Sequence, residues 1–297
     1  MTYPAAFWPG VLGILFLVAG IIAYRRDFAA SSGDGALGLT ALGPVFVAAA
    51  LAAFAGEHFS AAPALAQIVP KWMPGKLFIA YFVGVAHLAA ALSFVAKRYI
   101  RWSAPALALM FGLFVLLMDL PAAVSRPTIF LFWILAARQT TFAIGALALF
   151  AIATDDSNSR RAAMLATIAR IWTAAVLVFY GVANILNPQF APGVPSTTPT
   201  QPWVPLPALI AYATGILLIL FGIAMFAEKF ARAAAARCGL LMTILTVALY
   251  VPQWIMARTV AQQVTGINFV FDTLLFAGTV LVIGRAISET SRNTQLS

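Results

Sequence analysis

The sequence predicts an all-α fold, a polytopic transmembrane helical protein of about nine spans, and three observations carry that prediction. Apolar residues fill 63% of 297 positions and charged residues only 9%, more apolar surface than one water-facing core of this length can hide. The apolar stretches run close to the roughly 20 residues that a helix needs to cross a hydrocarbon core about 30 Å thick. They are also continuous, without the alternation of apolar and polar residues over about ten positions that marks barrel strands.

Nine stretches read as spans: 5–24, 37–56, 77–96, 102–120, 128–152, 163–184, 206–227, 234–254 and 264–287. No Lys or Arg precedes the first, whereas Arg25 and Arg26 follow it, so it reads as a retained span that begins outside rather than a cleaved signal peptide. The net charge of +9 raises nucleic acid as a partner, and the distribution of the basic residues argues against it. With nine spans, thirteen basic residues from Arg25 to Arg292 share one side, and Lys71, Lys76, Arg126 and Arg258 hold the other. That asymmetry puts the N-terminus outside and the C-terminus in the cytoplasm of a bacterial-type inner membrane, with membrane lipid as the surrounding partner. Trp72 and Trp203 are then expected at the outer interface, and Trp102 and Trp172 near the inner one.

A phrase of the sequence occurs twice. Trp72, Pro74, Ile79, Ala80, Tyr81 and Gly84 return as Trp203, Pro205, Ile210, Ala211, Tyr212 and Gly215, each 131 positions on. Four crossings separate the copies, so the repeat is parallel, and the same offset carries Pro121, expected to close the fourth span, onto Pro252 in the eighth. The resulting organisation is tandem parallel four-helix bundles preceded by one helix. Its boundaries are 1–36 for the first helix and a cytoplasmic loop, 37–152 for the first unit, 153–161 for a cytoplasmic linker, 162–287 for the second unit and 288–297 for a tail. Gly84 with Ala80 and Ala91 forms a small-residue face for close helix contact. The outer loop of the second unit is longer, with 22 positions from Gly181 to Trp203 against 16 from Gly56 to Trp72. Both a stiff cap over a cavity and a tolerated insertion fit it.

The stretch "FAGEHFSAAPALAQIVPKWMPGKLFIAYFVGVAHLAAALSFV", followed by "LMDLP", resembles the DoxX-like (DoxX/DoxD) integral membrane proteins, over about 37–152 and more weakly in the second unit. The resemblance implies a four-helix unit and membership among proteins that include accessory membrane subunits of oxidoreductase systems, some connected with quinones. It transfers no catalytic residues.

Polar groups inside a bilayer are costly and are therefore candidate site residues. Arg138, followed by Gln139, Thr140 and Thr141, lies 11 residues past Pro127, about 16 Å deep at 1.5 Å per residue. Asp272 shares a helical face with Thr265, Asn268 and Thr279 and reaches a similar depth, about 15 Å beyond Gln262. The two charges either pair between the units or line a polar cavity. His87 is also near mid-membrane, where a hydrogen bond to a neighbouring helix and a ligand or relay role are both open. Glu57 and His58 read as interfacial polar residues, and Asp119 as a marker of an outer mouth. The ligand-binding candidates are thus Arg138, Asp272, His87, Asp119, Gln139 and Asn268.

No catalytic set and no metal set emerges. Glu57, His58, His87 and Asp119 lack a ligand spacing such as H-E-x-x-H, and the single Cys238 offers no intramolecular dithiol. Three functions remain: an accessory component that binds a hydrophobic molecule such as a quinone, with a redox subunit as partner; a transporter of a small or lipophilic solute; and a structural scaffold.

Overall fold

The computed structural model describes residues 4–154 and 160–296. Among these residues the fold is all-α, with nine helices long and apolar enough to cross a membrane. They are α1 (Pro4–Ser31), α2 (Gly43–Ser60), α3 (Lys76–Val95), α4 (Ile100–Ser125), α5 (Phe130–Ala153), α6 (Arg160–Leu186), α7 (Pro207–Phe226), α8 (Glu228–Ile255) and α9 (Val260–Leu296). Leu15, Ile22, Phe78, Leu109 and Leu220 stand exposed on their outer faces. Apolar surface of that extent matches hydrocarbon as the surrounding medium.

Helices α2 and α9 are the most enclosed of the nine, and α9 packs against α1, α2, α5, α6 and α8. Their crossing depends on two glycines. A Cβ on Gly278 would lie 2.8 Å from the Gly43 carbonyl oxygen and from the Val47 nitrogen, and one on Gly43 would lie 2.8 Å from the Val282 nitrogen. Such approach of backbone to backbone supplies the dispersion contact that binds helices where lipid removes most of the hydrophobic drive. Within 43–153 each helix packs on the next in sequence, and within 160–296 the same succession holds. Across the middle, α2 meets α9 and α5 meets α6.

Polar side chains tie the helix ends. The Tyr24 hydroxyl donates to the Phe94 carbonyl at 2.9 Å, and Lys97 Nζ stands 2.8 Å from Asp27 Oδ2 and 4.1 Å above the Tyr24 ring. Arg170 donates to the Met225 and Phe226 carbonyls, which terminate α7 and have no partner within the helix.

Four features differ from expectation. Pro121 and Pro252 do not close their spans. Each follows a π turn, Val115–Asp119 and Thr246–Tyr250, where the Leu120 N–H reaches the Val115 carbonyl and the Val251 N–H that of Thr246. The wider turn relieves the clash between the proline ring and the preceding turn, so the helices continue to Ser125 and Ile255. The two π turns lie 131 positions apart, as do the left-handed caps Gly75 (φ 63°) and Leu206 (φ 47°) of α3 and α7.

Residues 32–42, expected to be loop until 36, wind as 3₁₀ turns interrupted at Gly35. Helix α9 continues to Leu296, through most of the expected tail. Of the linker 153–161, residues 155–159 lie outside the described residues. Trp172 sits midway along α6, where its indole N–H donates to Thr141 Oγ1 of α5 at 3.0 Å. It joins two helices rather than anchoring an interface.

Candidate functional site

Close packing of α2 on α3 sets the first wall of the site. A Cβ on Gly84 would lie 2.8 Å from His58 Cβ, and this proximity lets His58 Nδ1 donate to the Ala80 carbonyl at 2.8 Å. The ring is thereby oriented with Nε2 left as an acceptor. From the opposite side, Asp119 closes the π turn of α4, and Gln139 projects from the middle of α5. Asp119 Oδ2 and Gln139 Oε1 are both shielded from solvent and accept a hydrogen bond from no described residue.

These groups border a cavity of about 430 Å³ whose remaining wall is apolar, formed by Met73, Met110, Phe114 and their neighbours. The cavity shares Phe82, Met110 and Leu113 with a cleft of about 440 Å³ between α3 and α4, lined almost wholly by apolar side chains. Phe82, Leu109 and Leu113 are exposed on the outer surface there, so the apolar wall of the cavity borders the outward-facing side of the bundle. A pocket of this build holds an apolar body and fixes its orientation through a few polar groups at one end.

A second polar centre lies where α5 meets α9. Arg138 Nη1 donates to Asp272 Oδ2 at 2.6 Å, with the two side chains 19% and 25% exposed. Beside the pair, Asn268 Nδ2 approaches Glu57 Oε1 at 3.4 Å. The ion pair faces a cavity of about 220 Å³ that Thr265 and Asn268 also line, roofed by Ser196 and Thr198 of the α6–α7 connection.

The six candidates therefore separate. Asp119 and Gln139 face the apolar cavity, Arg138, Asn268 and Asp272 face the smaller polar one, and His87 lines neither. His87 is packed between the rings of Phe54, His58 and Phe111 at 5.5–6.1 Å, and neither ring nitrogen finds a hydrogen-bond partner. Of the two roles open to it, the bond to a neighbouring helix is not formed. His58, read from sequence as an interfacial residue, lines the same cavity as Asp119 and Gln139. The available signal in the sequence was Gly84, whose missing side chain brings α3 close enough for His58 to turn inward. Among the described residues no three His, Cys, Asp or Glu gather as a metal-holding group.

Among the described residues, nine apolar helices long enough to cross a membrane give the chain the character of a multi-pass α-helical membrane protein. No family model, curated protein or solved structure matches the chain.

Proposed function

We propose that the chain is a DoxX-like membrane component of two four-helix units, 37–152 and 162–287, and that the first unit binds a lipophilic small molecule with a hydrogen-bond-donating head. A quinol, the reduced form of a quinone, has that chemistry, and a redox subunit would then exchange the molecule. The carrying observation is the apolar cavity ending at Asp119 and Gln139, two acceptor groups whose buried oxygens lack donors. A buried acceptor without a partner costs about 1–3 kcal/mol, and a ligand hydroxyl would recover it.

The duplication is supported by the shared spacing of the π turns and left-handed caps. It is supported also by the mirrored packing of α2 on α9 and of α5 on α6. A parallel repeat requires both outer loops on one face of the membrane. In a Cys238→Ser background, Trp72→Cys and Trp203→Cys should both react with a membrane-impermeant maleimide added from the outside of intact cells. Reaction from opposite faces would contradict the duplication.

Mass spectrometry of gently extracted protein tests the binding. The expected result is a retained quinol or other hydroxylated lipophile at near one per chain, lost from a variant carrying Asp119→Leu and Gln139→Leu that still elutes as a folded species. Retention of nothing beyond bulk phospholipid would contradict it. The polar cavity at Arg138 and Asp272 favours a second reading, passage of a small solute, whose sign would be flux in vesicles without any partner protein.

A further inference from the structure

The counterpart of the ligand cavity in the second unit is filled by the protein itself. Gly84 packs on His58 in the first unit, and Gly215 packs in the same way on Asn184 in the second, with a Cβ there 3.3 Å from Asn184 Cβ. At the 131-residue spacing, Phe114 and Asp119 correspond to Leu245 and Tyr250. In the first unit His58, Phe114 and Asp119 border open space. In the second, their counterparts all touch one segment of the α6–α7 connection.

Asn184 Oδ1 accepts the Gly193 N–H at 2.9 Å, and its Nδ2 donates to the Gly193 carbonyl at 3.0 Å. The Tyr250 hydroxyl donates to the Pro192 carbonyl. A Cβ on Gly193 would stand 3.1 Å from Leu245 Cδ1, and residues 191–195 are all buried. Gly193 has φ 103°, a conformation open to glycine and strained for other residues. The connection has room for this insertion because it is longer, with 22 positions from Asn184 to Leu206 against 17 from His58 to Gly75. An apolar strip with a polar backbone, read by one amide and one hydroxyl, has the form of a tethered ligand.

We propose that the second unit holds a latent copy of the lipophile site, kept shut by segment 191–195, so that the chain presents one open site and one self-occupied site for the same class of ligand. The proposal rests on the reading of the first cavity as a lipophile site. The occupant expected on release of the segment is again an apolar body with a hydrogen-bonding head, since Asn184 and Tyr250 already satisfy backbone amide groups there.

The test uses a redox-inert probe, a decylresorcinol with a diazirine in its tail, photocrosslinked to the full chain and mapped by mass spectrometry. Wild type should take one label, on α4 near Met110 and Phe114. Asn184→Leu, which removes both Gly193 tethers, and deletion of 191–195, which equalises the two connections, should each add a second label near Met242 and Leu245 and raise the stoichiometry from one to two. Persistence of the first label reports that a variant is folded. One label in wild type and still one in both folded variants overturns the latent site and leaves the first-site reading standing. No label in wild type but one near Leu245 in the variants does the reverse, and no label anywhere overturns both.

A measurement that needs no disruptive variant runs beside it. In Val194→Cys on a Cys238→Ser background, saturating decylresorcinol should speed maleimide labelling of Cys at this position several-fold as the segment is displaced. An unchanged rate counts against the proposal.

Discussion

Arg138→Ala and Asp272→Ala should each destabilise the protein by about 3–5 kcal/mol, because each leaves the opposite charge without its partner inside the bundle. The 2.6 Å contact joins α5 to α9, and the pair borders the small cavity under the α6–α7 connection. Removing both charges has a different consequence. Arg138→Met with Asp272→Leu replaces ions whose desolvation offsets most of their attraction, so the double variant should lie within about 1–2 kcal/mol of wild type. Exchanging the charges, Arg138→Asp with Asp272→Arg, should recover part of the loss because each charge again has an opposite partner. Unfolding in mixed micelles, with the two singles and the double compared as a cycle, reads the coupling directly. If both singles unfold like wild type, the cavity hydrates the two charges independently and the pair does not hold α5 to α9.

The second large effect is expected at the crossing of α2 and α9. A side chain at Gly278 meets backbone atoms at 2.8 Å on α2, and backbone cannot step aside as a flexible side chain can. Gly278→Leu should therefore cost more than the ~1–3 kcal/mol typical of overpacked cores and should reduce the yield of monodisperse protein several-fold. Gly33→Leu is the control, because a Cβ there meets nothing within 4 Å. Equal behaviour of the two variants would show that the central crossing opens to accept a side chain and does not depend on backbone contact at Gly278.

The membrane-type helices were legible because each depends on its own run of apolar residues, a local property that needs no tertiary information. Their ends were less so. Pro121 reads as a terminator on local grounds, yet the π turn before it absorbs the missing hydrogen bond and the ring, and the helix continues to Ser125. Depth arithmetic along single helices brought Arg138 and Asp272 to one level, which is enough for a pair, since lateral neighbours among long charged groups are few.

The same arithmetic could not separate Arg138 from Gln139. They are adjacent on α5, and about 100° of helical rotation sends them into different cavities. The surroundings of His87 were hidden for a related reason: the aromatic residues enclosing it come from α2 and α4, whose rotations the sequence does not specify. Least legible of all was the α6–α7 connection. Its extra length is visible, whereas its insertion between Asn184 and Tyr250 depends on contacts distant along the chain.

Equilibrium binding of decylresorcinol and of its dimethyl ether to purified protein tests the central claim most directly, since methylation removes both donors that Asp119 and Gln139 would receive, and the Asp119 and Gln139 variant separates that loss from the bulk of the added methyl groups. The diol should bind at least about tenfold more tightly, the equivalent of roughly 1.4 kcal/mol, and that preference should vanish when Asp119 and Gln139 are both replaced by Leu. Equal affinity of wild type for the diol and the ether would mean that the cavity does not select a donating head, contradicting the function proposed for it.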